Sequence, residues 1–167
     1  MTLNLFYIIL YYYCSMKLTT ISNIKIKEIC KKLNVPLIDV LMKDQFHKGL
    51  PIGLYVLNLN NSDQGGSHWT SLIKLKGGKY LYCDSFGAPP PQTVLNSLDI
   101  SPGKLMFNDQ QIQHLNATNC GYYCILFLYY YTIYKTPSKT ITNYLKHFTT
   151  DEAENDKVLR DIFKELL

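Results

Sequence analysis

The run CGYYCILFLYYYTIY, from Cys120 to about Tyr134, is apolar or aromatic almost without interruption. At about fourteen apolar residues it falls short of the roughly 20 that cross a bilayer. It also lacks the polar stripe of a surface helix. Such a helix is stable only as a buried central element, so the rest of the chain has to be wrapped around it. With 167 residues, one compact domain is enough to do this. Pro137 is expected to end the helix.

The residues just ahead of the run are polar, QHLNATN from Gln113 to Asn119, and Asn116, Thr118 and Asn119 are types that cap helix N-termini. Cys120 therefore sits at the positive end of the helix, where unpaired N–H groups and aligned peptide dipoles favour thiolate over thiol. That makes it a candidate nucleophile, against the plainer reading of a half-buried cysteine without chemistry. Gly121 is expected to leave room for a substrate.

A cysteine nucleophile needs an imidazole base, an orienting carboxylate and a donor for the developing oxyanion. Candidates for all three lie upstream: His68 in GGSHWTSLIKL, Asp84 in KYLYCDSFG, and Gln113 one short loop before the thiol. The strand pattern supports the first pair. His68–Leu75 and Lys79–Asp84 read as strands joined at Gly77-Gly78, a two-residue hairpin signature. Such a hairpin brings the start of the first strand beside the end of the second, so His68 and Asp84 meet at one edge. Gly65 and Gly66 allow a tight turn and a close substrate approach beside His68, and Trp69 packs next to His68 or lines the groove, against the plainer reading of core packing alone. His114 is a rival base without an evident carboxylate, and Gln111 competes with Gln113. Asp84 also reads as a turn residue, His68 as an exposed strand histidine and Gln113 as a solvated polar side chain.

The order His, Asp, Gln, Cys, with GG-x-HW, an acidic residue followed by x-Phe-Gly, and Gln ahead of Cys-Gly-x-x-Cys, resembles the adenovirus-type maturation proteases. Those enzymes share their fold and catalytic residues with the SUMO- and ubiquitin-like-specific cysteine proteases. The Gln113–Cys120 interval is similar to the adenovirus type, whereas Asp84 stands where those enzymes usually carry Glu. The resemblance spans most of the chain from Met16. It implies an α+β cysteine endopeptidase fold, a mixed sheet against the buried helix with the nucleophile at that helix's N-terminus. It also implies processing of viral capsid or other structural precursors at sites with glycine or small residues, in the virion and the infected cell. Activation by DNA or by a peptide is a further implication; no cofactor is required by the residues themselves. Two alternatives stand beside this reading: a protease that removes a ubiquitin-like modifier, and a non-catalytic virion structural or binding protein that keeps the fold.

Five cysteines without a secreted-scaffold spacing indicate a reducing compartment rather than secretion. Cys120, Cys124 and His114 lack a second ligand pair of recognised spacing, so no metal site is expected. The net charge of +4 is spread along the chain, which allows weak nucleic-acid contact and no more. The expected species is a monomer without a transmembrane span.

Residues 1–15, MTLNLFYIILYYYCS, are too short an apolar run to span and have no basic residue ahead of it. They read as an extension outside a catalytic unit of residues 16–167, with Met16 as an alternative translation start, or as an added strand or membrane-surface anchor. Further on, Ser22 or Asn23 caps a helix carrying Ile26, Ile29, Cys30 and Leu33 on one face, ended by Asn34 and Pro36. A short helical piece is expected around Leu37–Met42, then a strand from Gly53, a short helix over Thr93–Leu98 and a strand over Lys104–Ile112. Amphipathic helices over Ser138–Phe148 and Asp151–Leu167 follow.

Overall fold

A computed structural model describes residues 17–167, so the expectations for residues 1–15 and Met16 lie outside the described residues. Five strands form one mixed sheet in the order of the chain. These are β1 (Leu37–Leu41), β2 (Gly53–Asn58), β3 (Trp69–Lys74), β4 (Tyr80–Cys83) and β5 (Leu105–Phe107). The central strand β3 runs antiparallel to both β2 and β4, and the outer pairs β1/β2 and β4/β5 are parallel. The helices are α1 (Asn23–Lys32), α2 (Gln92–Leu98), α3 (Cys120–Tyr134), α4 (Pro137–Leu145) and α5 (Glu152–Leu166). The α+β class and the buried central helix are as expected.

Every residue of α3 from Cys120 to Leu128 is buried, because neighbours cover it all round. The sheet contributes Val56, Ile73, Leu81 and Cys83, α1 contributes Ile26 and Ile29, α4 Tyr144, and α5 Leu159 and Phe163. Ile125, Leu126, Phe127 and Leu128 have no exposed surface, and each such side chain contributes roughly 1.5–3 kcal/mol by leaving water. The opposite sheet face buries Tyr55, Leu57, Leu72, Tyr80 and Tyr82 against Val94 and Leu98 of α2. Both faces being covered fits β2 and β4, which are apolar without interruption from Leu54 to Leu57 and from Tyr80 to Cys83.

Four expectations need correction. The helical piece expected around Leu37–Met42 is instead the strand β1 over Leu37–Leu41: so short a stretch nucleates a helix poorly, and Val40 and Leu41 gain more by pairing with Val56 and Leu57 of β2. The strand expected over Lys104–Ile112 ends at Phe107, because the Asn108 side chain takes over the backbone groups of Asp84. Between β3 and β4 the turn holds three residues, Lys76–Gly78, rather than two, enclosed by Leu75 and Lys79 with Leu75 N–H donating to Lys79 O at 2.8 Å, and with Gly77 and Gly78 both at positive φ. Lastly, α3 stops at Lys135, which adopts the left-handed conformation, and Pro137 begins α4. Among the described residues no helix is long and apolar enough to cross a membrane.

Candidate active site

The end of the β3–β4 hairpin positions the first two groups. His68 precedes β3 and Asp84 follows β4, and His68 Nε2 lies 2.7 Å from Asp84 Oδ1. Continuing the β3–β4 register beyond Ser71↔Cys83 sets His68 opposite Phe86. The two rings stack there with centroids 4.7 Å apart. With Nε2 committed to the carboxylate, Nδ1 is the nitrogen left for the Cys120 thiol, which lines the same cleft. Burial alone lowers the imidazole pKa, but the hydrogen bond and charge of Asp84, with the neighbouring Cys120 acting in the same direction, outweigh it and raise it to about 9. His68 is therefore an imidazolium at neutral pH.

Asp84 is held as firmly as the ring it faces. Its Oδ1 also accepts from Phe86 N–H at 2.8 Å. Its backbone N–H donates to Asn108 Oδ1 at 2.9 Å, and its carbonyl accepts from Asn108 Nδ2 at 2.7 Å. Gly87, at φ 69°, brings the following turn so close to Gln110 that a Cβ would stand 2.6 Å from the Gln110 carbonyl carbon. The hydrogen-bonding role of Asn108 has no signal in the sequence.

Cys120 is the first residue of α3, and its Sγ accepts from Trp69 N–H at 3.5 Å. The capping expectation fails here: Asn119 is the N-cap, but its side chain makes no cap. Its Nδ2 donates instead to Asp156 Oδ1 on α5 at 3.0 Å. The first N–H groups of α3 thus remain without side-chain caps beside the sulfur. Gln113 is buried, its Nε2 donating to Ala117 O at 2.7 Å and its Oε1 accepting from Ser85 at 2.6 Å. His68, Trp69, Gln113, Cys120 and Gly66 all line one cleft of about 1070 Å³. His114 is exposed and bonded within its own loop to Asn116, and Gln111 donates to the Gln113 carbonyl. His47 is exposed, and His147 pairs with Tyr130.

Gly121 serves a different purpose from the one expected. A Cβ there would lie 2.6 Å from Ile21 Cγ1 and 3.4 Å from Trp69 Cδ1. The missing side chain makes room for the segment before α1, whose Ile21 carbonyl accepts from Trp69 Nε1 at 3.1 Å. Ile21 thereby joins the wall of the cleft. Gly121→Ala gains up to about 1 kcal/mol in helix propensity but forces Ile21 aside at a cost of about 1–3 kcal/mol. The expected net result is a lower Tm by thermal unfolding; an unchanged or raised Tm would show that Ile21 relocates freely.

Among the described residues there is no group of three or more His, Cys, Asp or Glu able to hold a metal. Burial raises the Cys30 thiol to about 12 and holds Cys83 and Cys124 well above the ordinary thiol value.

No family model matches the sequence, and no curated protein does. Among solved structures the chain is similar to the ASFV pS273R protease, at 14% identity over 86% of this chain and 67% of that one, with a TM-score of 0.49. It is similar to the SUMO protease Ulp1 at 16% identity over 88% and 78%, TM-score 0.41. The central domain of the Lpg1148 protein from Legionella pneumophila matches at 11% identity over 89% and 98%, TM-score 0.47. The chemistry of the cleft is therefore read from its own side chains.

Proposed function

We propose that this chain is a cysteine endopeptidase in which Cys120 is the nucleophile, His68 the acid and base, Asp84 the orienting carboxylate and Gln113 an oxyanion donor. The observation that carries the reading is the His68 ring bonded to the Asp84 carboxylate in the cleft that Cys120 also lines, with the N–H of Trp69, next to His68, donating to the Cys120 sulfur. In this mechanism the Cys120 thiolate adds to the scissile carbonyl carbon. The carbonyl π pair moves to oxygen, which takes hydrogen bonds from the Cys120 N–H and the Gln113 amide. Collapse breaks the C–N bond, His68 gives its proton to the departing amine, and a thioester remains. Neutral His68 then takes a proton from water, whose oxygen displaces the sulfur to release the acid and restore the ion pair.

The substrates proposed are capsid or other structural precursor polypeptides of a virus, cut at glycine-containing or small-residue sites. Support for this finer reading is the resemblance to adenovirus-type maturation proteases, together with the small Gly66 and the flat Trp69 in the cleft wall. The test is incubation of the chain with candidate precursors and with a Gly-Gly-linked ubiquitin-like modifier, product termini being read by mass spectrometry. New termini beside glycine or another small residue in a precursor are the expected result. Release of the modifier alone would transfer the assignment to deconjugation, and no cleavage of either would oppose the peptidase reading.

A further inference from the structure

We infer that Ser85 is the positioning residue that aims the Gln113 amide at the oxyanion; this rests on the cysteine-peptidase reading. The two ends of the amide are distinguished by chemistry. The Ala117 carbonyl can only accept, so the amide nitrogen must face it, as Nε2 does at 2.7 Å. Oε1 then faces the opposite way, where the Ser85 hydroxyl donates to it at 2.6 Å. Ser85 and Gln113 are 3% and 1% exposed, so water cannot readily replace that donor. The Ser85 carbonyl also accepts from Ile112 N–H at 2.9 Å and Gln113 N–H at 3.0 Å. Backbone and side chain of Gln113 are therefore both registered on one residue.

The amide has two N–H bonds, and Ala117 uses one of them. The second serves the oxyanion only while the amide plane is fixed. Ala117 by itself anchors the nitrogen and leaves the plane free to pivot; the Ser85 hydroxyl fixes the other end. Because Ser85 follows Asp84 directly, one turn, closed by Gly87 N–H donating to the Asp84 carbonyl at 2.9 Å, holds both the carboxylate for His68 and the amide clamp.

The test uses two reagents on wild type, Ser85→Ala, Gln113→Ala and the double variant. A peptide aldehyde ending in glycinal accepts the thiolate at its carbonyl carbon; the oxygen takes the electron pair and is then protonated by His68, forming a hemithioacetal. Iodoacetamide alkylates sulfur at carbon with loss of iodide and forms no oxyanion. Protection of Cys120 from iodoacetamide by the aldehyde, read by mass spectrometry, measures the oxyanion site without needing the natural substrate. Ser85→Ala is expected to raise the half-protecting aldehyde concentration about tenfold, less than the loss of an oxyanion donor itself, and to leave the alkylation rate unchanged. In the Gln113→Ala background the same substitution should add nothing, the non-additivity of residues acting through one another. Ser85→Cys, close in shape but a weak donor, should behave as Ser85→Ala. Full protection in Ser85→Ala, or an equal loss in both backgrounds, would overturn the inference alone. A wild-type thiol that is neither alkylated nor protected would overturn the peptidase reading and this inference with it.

Discussion

Cys120→Ala is expected to lower cleavage of any peptide the wild type cuts by roughly 10⁴-fold or more, the scale for removing a nucleophile, while the protein stays folded. Alanine replaces one sulfur on a helix whose next eight residues are buried, and among the described residues the hydrogen bond given up is the 3.5 Å contact from Trp69 N–H. A buried truncation of this size costs about 1 kcal/mol or less. The same variant isolates the reactive thiol. Iodoacetamide should modify Cys120 in the native wild type and leave Cys30, Cys83 and Cys124 untouched, since burial holds those three as neutral thiols. Mass spectrometry of the alkylated protein and a rate assay check both statements. Residual cleavage above a tenth of the wild-type rate in Cys120→Ala would remove the sulfur from the mechanism.

The parts of the site legible in the sequence were those set by local spacing. The His68–Asp84 contact follows from two strands and a short turn, so a hairpin count finds it, even though the turn proved one residue longer than its Gly-Gly signature suggests. The span of α3 was legible for a similar reason, since an all-apolar run can only be buried. Decisions made by distant partners were not legible. β1 is a strand because β2 lies beside it, and Asn119 turns from capping to Asp156 because α5, packed from far along the chain, presents a carboxylate there. Gly121 reads as space for a substrate because nothing in the sequence places Ile21 against it. Ser85 reads as an ordinary turn residue until Gln113 is seen folded back onto its hydroxyl.

Asp84→Asn should lower kcat/KM by roughly 10³- to 10⁴-fold, the scale for an orienting carboxylate, and should move the alkaline side of the pH profile. In the wild type the imidazole pKa stands at about 9. The protonated ring needed by the leaving amine is lost as pH rises through that value, and kcat/KM should fall with it. Asparagine keeps an oxygen for Phe86 N–H but offers His68 no charge, while burial still lowers the imidazole. The alkaline limb should therefore shift down from about 9 toward or below the ordinary histidine value of 6.5. Stability follows the same sign. A folded-state pKa raised above the unfolded one gives stabilisation that is complete below about pH 6.5 and is lost progressively up to about pH 9. Wild-type Tm should decline across that window, and Asp84→Asn should lose this part of the decline. A pH–rate profile and a Tm series on both proteins check the pair. An alkaline limb in the same place in both would assign it to a group other than His68, whereas a shifted limb with a flattened Tm series would tie the proton to the ring that Asp84 holds.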